Sequence, residues 1–237
     1  RAYASLLFDV ETVPFPSADK EQASLDALER ACAQGDAAAF IVEPLLLGAG
    51  GMLIYPAHVL ARMRSICGAH GVLFIADEVM TAWGRTGTLL GCEQAGIVPD
   101  ILCLSKGLTG GSLPLAVTMA TPPIYDAHYS TDRSRQFFHS SSYTANPIAC
   151  AAANANLAIW REEPVLDRIR LLQQRQSDAL ARLEGNCRFA NVRQLGTVTA
   201  MDVVSASEGY LSDLAPALKA AFTKRNILLR PLGNTIY

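Results

Sequence analysis

Short apolar runs, separated by longer segments, most constrain what this chain can fold into. We predict strands at residues 38–43, 72–76, 101–104 and 115–120. Between the first two, residues 56–69 place apolar side chains at helical spacing, which predicts a helix that begins at Pro56 and ends at Gly71. Short apolar strands that alternate with helices are typical of an α/β fold, with a mostly parallel sheet covered on both faces.

The pattern changes after Pro147. We predict helices at 148–160, 165–183 and 211–224, and strands at 189–195, 198–204 and 227–229. Strands separated by a helix favour a smaller α+β C-terminal domain. The sequence therefore predicts that residues 1–160 belong to a large domain and residues 161–237 to a small one.

Charge and composition exclude several classes of protein. The net charge of the 237 residues is −2, and no run of 18 apolar residues occurs, so we expect neither a nucleic-acid nor a membrane partner. The six cysteines contain no CxxC pair, and the four histidines lack metal-ligand spacing. This pattern predicts reduced thiols, no metal and a cytoplasmic location.

Both ends of the sequence look cut. The chain begins at Arg1 rather than at a methionine, and its last residues, 234–237, are typical of the start of a strand with nothing after it. We therefore expect the chain to be truncated at both ends and to belong to a longer protein, whose targeting region is not included.

Charged residues follow three of the predicted strands directly. Glu43 ends the first, Asp77 follows the second, and Lys106 comes two residues after the third. Ligands of open parallel sheets bind beyond the carboxyl ends of the strands. The three side chains are therefore candidates for one shared crevice.

Lysine is scarce in this chain, which singles out Lys106. Only four lysines occur among the 20 basic residues, and Lys106 alone lies between an apolar strand and a Gly-rich turn. A lysine in a partly dry cleft has a neutral, nucleophilic amine, as Schiff-base formation with an aldehyde requires. Binding a phosphate as a point charge, or ending a strand, are the alternatives.

Asp77 ends a buried strand, and a carboxylate there needs a partner. A protonated pyridine nitrogen is one such partner, and it makes the ring an electron sink. A helix cap or a structural ion pair, for example to Arg85, is the alternative.

Four ordered motifs, at 75–79, 84–87, 99–101 and 105–108, resemble those of class III aminotransferases. The resemblance extends from about residue 41 to the end of the chain. It implies the type I fold of pyridoxal-phosphate-dependent transferases, with pyridoxal 5'-phosphate as cofactor. Segments 48–52, 108–111, 146–155 and 230–237 are most similar to the branch of this class that aminates a long-chain keto acid in biotin synthesis.

The resemblance assigns cofactor roles residue by residue. Lys106 would hold the cofactor as a Schiff base and later move the proton as acid and base. Asp77 would pair with the pyridinium nitrogen, and Val79 would pack under the ring. Ser141 and Ser142 match a Pro-Thr pair that reaches the cofactor phosphate of the neighbouring subunit, which implies a homodimer with shared active sites.

The resemblance also implies a substrate pocket. Ser140 would border the substrate, Arg230 would clamp its carboxylate, Tyr237 would line the same pocket, and Glu43 would lie near the cofactor. The chain departs from the family at Leu47, where a polar residue is common, and at residues 140–142, where Gly-Pro-Thr is more usual. Both departures lie near the substrate or the cofactor phosphate, so they bear on the identity of the amino donor rather than on that of the cofactor.

Two other readings stay open. One is a different class III enzyme that acts on an ω-amino acid, or the related aminomutase. The other is a catalytically inactive scaffold or binding fragment.

Overall fold

The structure, a computed structural model, describes residues 9–139, 141–205, 209 and 212–237. Its strands are β1 (Ala39–Val42), β2 (Leu46–Leu47), β3 (Leu53–Ile54), β4 (Leu73–Asp77), β5 (Ile101–Leu104), β6 (Val117–Ala120), β7 (Phe189–Leu195), β8 (Val198–Val203) and β9 (Thr235–Ile236). Its α-helices are α1 (Glu21–Ala33), α2 (Ala57–Ala69), α3 (Pro122–His128), α4 (Pro147–Glu162), α5 (Val165–Ala181) and α6 (Leu214–Thr223).

The first sheet has the strand order β1-β4-β5-β6. Strands β1, β4 and β5 run parallel, with Val42 opposite Ala76 and Asp77 opposite Cys103. Strand β6 runs antiparallel to β5. The reason is the connection between them, residues 105–116, which holds a 3₁₀ turn and no crossover helix that could return the chain to the opposite edge. The sheet is therefore mostly parallel, as predicted.

Helices α1 and α2 cover one face of this sheet. Leu28, Leu60, Met63 and Phe74 are fully or almost fully buried between them. On strand β1, the Ile41 side chain points away from this core and is 61% exposed. Within the described residues, the core thus lies on one side of the sheet, which differs from the predicted cover on both faces.

Local sequence explains where the long helix α4 begins. Pro147 occupies its first turn, where a missing N–H costs nothing, and the Asn146 side chain accepts a hydrogen bond of 3.0 Å from the Ile148 N–H. This helix lies against the turn that follows β5, so its position bears directly on the site described below.

The second sheet is antiparallel, in the order β7-β8-β9. The predicted strand at 227–229 is wrong, since these residues are irregular. The Ile227 N–H bonds to the Phe222 carbonyl, the Asn226 N–H bonds to the Thr223 carbonyl, and Asn226 has a φ of 58°. These are the bonds of a Schellman cap, so this segment ends helix α6 instead of pairing with the sheet.

An apolar cluster and hydrogen bonds from Arg193 of β7 join the second sheet to the β2–β3 hairpin. Leu46 and Met52 of the hairpin region pack with Val198, Ala200 and Leu232. A division into two domains near residue 160 stays a prediction. No helix in the described part of the chain combines the length and apolarity that crossing a bilayer requires.

Candidate active site

The carboxyl ends of β1, β4 and β5 bring three charged residues together. Glu43 follows β1 beside Asp77, because the preceding residues Val42 and Ala76 are register partners. Asp77 in turn lies opposite Cys103, three residues before Lys106. The charges of Asp77 and Lys106 both act on the Glu43 carboxyl. The register of the strands therefore places Glu43, Asp77 and Lys106 at one edge of the sheet, as expected.

Lys106 opens the 3₁₀ turn Lys106–Thr109, with a φ of 45°. Its carbonyl accepts a hydrogen bond of 3.1 Å from the Gly111 N–H, and the Ser105 hydroxyl donates to the Leu115 carbonyl at 2.8 Å. The side chain of Lys106 is exposed. No ion pair to it occurs among residues that the structure describes, so its amine is free to meet a ligand.

Asp77 is half-buried at the end of β4. Its Oδ1 accepts a hydrogen bond of 3.1 Å from the Val79 N–H. Within the described ranges, Oδ2 has no hydrogen-bond partner, and Arg85, the ion-pair alternative, does not reach it. One carboxylate oxygen is thus fixed by the backbone, and the other is available to a ligand as far as the described residues are concerned.

Glu43 lies partly buried beside this pair. Burial raises the pKa of its carboxyl, the Gly48 N–H at 3.1 Å from Oε2 opposes the rise, Asp77 adds to it, and Lys106 lowers it. A Cβ on Gly48 would lie 2.3 Å from the Met80 sulfur and 3.2 Å from Glu43 Oε2. The Gly48 turn can therefore approach Glu43 this closely only without a side chain.

Sequence reasoning missed Glu78, the residue after Asp77. Its side chain is fully buried, and it accepts hydrogen bonds from the Thr81 hydroxyl at 2.5 Å, the Gly91 N–H at 2.9 Å and the Cys92 N–H at 2.8 Å. It ties the end of β4 to the loop that leads to β5. The available signal was a carboxylate directly after a buried strand, which needs a partner of its own.

The two described serines of the predicted phosphate contact, Ser141 and Ser142, are exposed. Among the described residues, Ser141 forms hydrogen bonds within its own turn alone, with Thr144 and Tyr143. Ser140 lies outside the described residues.

Arg230 and Tyr237 are also exposed. Between them and Lys106 or Asp77, no hydrogen bond or ion pair occurs in the described part of the chain. Arg230 follows an irregular segment rather than the strand predicted at residues 227–229. Tyr237 directly follows β9, whose Ile236 pairs with Met201.

Comparisons with known proteins agree with this architecture. The chain is 42% identical to adenosylmethionine-8-amino-7-oxononanoate aminotransferase of Synechococcus elongatus, over 99% of the chain and 57% of that protein. A crystal structure of the enzyme of the same name from Methanocaldococcus jannaschii superposes with a TM-score of 0.90 at 30% identity, over 99% of the chain and 56% of that structure.

A more distant neighbour is the ornithine aminotransferase of Toxoplasma gondii. It has a TM-score of 0.76 at 30% identity, over 90% of the chain and 48% of that structure, and its crystals hold PLP at partial occupancy in the active site. The chain thus spans about half the length of the proteins it matches. Its predicted fold, that of pyridoxal-phosphate-dependent transferases, is confirmed by these neighbours.

The family itself is shown by a match that covers almost the whole chain. The model of the family "Aminotransferase class-III" matches residues 4–237. This range contains all four motifs and the three strand ends described above. The chain belongs to the class III aminotransferase family.

Proposed function

We propose that the full-length protein containing this chain is a pyridoxal-phosphate-dependent aminotransferase with Lys106 as the cofactor-bearing lysine. The observation that supports the proposal is the position of Lys106 and Asp77 at the ends of adjacent parallel strands, with no ion-pair partner for either among the described residues. These two residues stand in the motifs that the family shares.

The residues present fit this cofactor. Pyridoxal phosphate offers an aldehyde, which needs an amine, and a ring nitrogen, which needs a carboxylate to stay protonated. Lys106 supplies the amine, and Asp77 Oδ2 is an acceptor without another partner in the described chain. When bound, the cofactor stabilises negative charge on the substrate carbon that loses its proton.

Each residue then has a defined task. Lys106 Nζ would hold the cofactor and, once released from it, would accept and return the substrate proton. Asp77 Oδ2 would accept a hydrogen bond from the protonated ring nitrogen, while its other oxygen is kept in place by the Val79 N–H. The Val79 side chain would pack under the ring. Glu43, whose pKa is raised by burial, lies beside Asp77 and would border the bound substrate or cofactor.

For the substrates we propose 8-amino-7-oxononanoate as acceptor and S-adenosylmethionine as donor, which would give 7,8-diaminononanoate for biotin synthesis. The support is the name shared by the Synechococcus and Methanocaldococcus relatives. Arg230 would bind the acceptor carboxylate through two parallel hydrogen bonds. Ser140 and Tyr237 would line the same pocket.

Another class III activity, on an ω-amino acid, remains the alternative. The identity to the ornithine aminotransferase structure is 30%, equal to that for the Methanocaldococcus enzyme, although its TM-score of 0.76 is below 0.90. The second alternative is a fragment that binds without turnover, which has support in the chain covering only about half of its relatives.

A homodimer with shared sites is also part of the proposal. Large aromatic side chains in segment 125–143 are between 60% and 79% exposed: Tyr125, Tyr129, Phe137, Phe138 and Tyr143. Exposed apolar side chains that cluster in one segment are typical of protein–protein interaction sites. Ser141 and Ser142 lie in the same segment, where a partner subunit could receive them at its cofactor phosphate. A cytoplasmic location remains a prediction.

Amino-donor profiling tests the proposal. The full-length protein is loaded with pyridoxal phosphate and incubated with 8-amino-7-oxononanoate and one donor at a time: S-adenosylmethionine, lysine, ornithine or β-alanine. Mass spectrometry should detect 7,8-diaminononanoate with S-adenosylmethionine. Parallel reactions use other keto acids as acceptors. Turnover of ornithine or β-alanine in these reactions, without amination of 8-amino-7-oxononanoate, would favour the ω-amino-acid alternative. A protein that binds the cofactor but turns over no substrate would favour the inactive alternative.

A further inference from the structure

The backbone of Lys106 needs support from its surroundings. Its φ of 45° lies in the left-handed region, which residues with a side chain seldom adopt. The turn that follows is short, since Gly110 N–H bonds to the Gly107 carbonyl at 2.9 Å. A conformation of this kind persists only where neighbouring groups hold it.

Helix α4 supplies a contact from one side. The Asn156 side-chain amide donates to the carbonyls of Gly107 at 2.9 Å and of Leu108 at 3.2 Å. These carbonyls belong to the two residues that follow Lys106, and that of Gly107 also accepts the turn's own hydrogen bond from the Gly110 N–H. One amide group thus holds the backbone of the two residues that directly follow Lys106 in the turn.

Trp83 packs on the same turn. A Cβ on Gly107 would lie 2.6 Å from Cγ and 2.7 Å from Cβ of Trp83, so the indole rests directly on the glycine backbone. The rings of Trp83 and Trp160 meet edge to face, with centroids 6.1 Å apart. Trp160 is four residues after Asn156, on the same face of α4. That face therefore holds both the turn and the indole that packs on it.

We infer that Asn156 is a positioning residue, which holds the 3₁₀ turn so that Lys106 Nζ is aimed at the crevice beside Asp77. It acts through the backbone of Gly107 and Leu108, and Trp83, packed on Gly107, further limits movement of the turn. The inference rests on the proposed function, because it assigns a role in directing the amine of Lys106. It adds a residue that touches neither cofactor nor substrate.

The substitution Asn156→Asp tests this role, because it keeps the size of the side chain and replaces the amide donor with an oxygen that faces two carbonyls. Asn154→Asp is the matched control, since Asn154 lies exposed on the same helix and undergoes the same change. In the full-length protein, two readouts are compared. One is the rate at which borohydride-trappable cofactor appears on Lys106, and the other is kcat and KM in turnover.

The expected result is a fall of about a hundredfold in kcat for Asn156→Asp, the cost of a misplacement of about 1 Å. Cofactor attachment to Lys106 should slow as well, while KM stays within about twofold, because Asn156 does not contact substrate. Asn154→Asp should match the parent protein in all three quantities. Equal behaviour of the two variants would overturn the inference.

If Asn156→Asp fails to fold, as judged by thermal melting, Asn156→Ala with Asn154→Ala replaces the pair, since it removes the donor without adding charge. The same split between kcat and KM is expected, and its absence refutes the positioning role. Failure of the proposed function looks different: the parent protein itself would then form no adduct on Lys106.

Discussion

Replacing Glu78 by glutamine should destabilise the fold although it changes a single atom. Both carboxylate oxygens are used, Oε2 by the Thr81 hydroxyl and the Gly91 N–H, and Oε1 by the Cys92 N–H. An amide keeps one oxygen for the first two donors and turns its NH₂ towards the third. One hydrogen bond to a charged group is lost, at about 1.5–3 kcal/mol, and a fully buried N–H is left unsatisfied, at about 1–3 kcal/mol. We expect the free energy of unfolding to fall by about 3 kcal/mol.

Urea denaturation, followed by circular dichroism, measures this loss. With a slope of about 1–3 kcal/mol per molar urea, the midpoint should fall by at least about 1 M. Glu93→Gln is the matched control, because Glu93 is exposed on the 3₁₀ turn that contains Gly91 and Cys92. A Glu78→Gln midpoint that coincides with that of the control would refute the reasoning, and with it the role of Glu78 in anchoring the end of β4.

Three further substitutions test the site and the second sheet. Asp77→Asn should retain bound cofactor but lower kcat at least about a hundredfold, since about 3 kcal/mol of charge stabilisation is lost; a near-normal kcat in steady-state assays would contradict its role. Arg230→Lys should raise KM for the keto acid, because about 1.5–3 kcal/mol of its binding free energy is lost, and should spare the half-reaction with the amino donor, as single-turnover kinetics can measure. If Arg230 were structural, the substitution would instead lower the melting temperature and slow both half-reactions. Burial alone would raise the pKa of Asp202, but hydrogen bonds from Arg193, Thr235 and Asn191 outweigh it and hold the pKa below its usual value. A depressed pKa stabilises the fold at pH values above the unfolded pKa of about 4, so Asp202→Asn should lower the free energy of unfolding by about 2–3 kcal/mol at pH 7. In urea titrations, the difference in this free energy between variant and parent should narrow as the pH falls below about 4. A difference that does not change with pH would argue against the ion pair.

The sequence predicted the part of the site that lies on regular structure. Glu43, Asp77 and Lys106 each follow an apolar strand, and parallel strands expose their carboxyl ends at one edge. Their convergence therefore needed only the strand positions and the parallel register. The long helices of the second half were predicted within a few residues for the same reason, because their apolar spacing is regular.

What the sequence did not predict depends on tertiary contacts. The apolar run at 227–229 is typical of a strand, yet the cap formed by Asn226 and Ile227 uses its backbone and leaves Leu228 exposed. Nothing in the local sequence distinguishes these outcomes. The contacts of Asn156 and Trp83 with the Lys106 turn likewise join residues far apart in the chain, and neither side chain belongs to a motif that would indicate its partner.

The central claim, that Lys106 carries the cofactor, is tested most directly by mapping where the cofactor attaches. The full-length protein is loaded with pyridoxal phosphate, reduced with borohydride, digested and sequenced by mass spectrometry. The account predicts a pyridoxyl group on Lys106 and none on Lys20, Lys219 or Lys224, with the adduct absent from Lys106→Ala. Attachment to another of these lysines, or a protein that binds the cofactor without any reducible bond to Lys106, would contradict it.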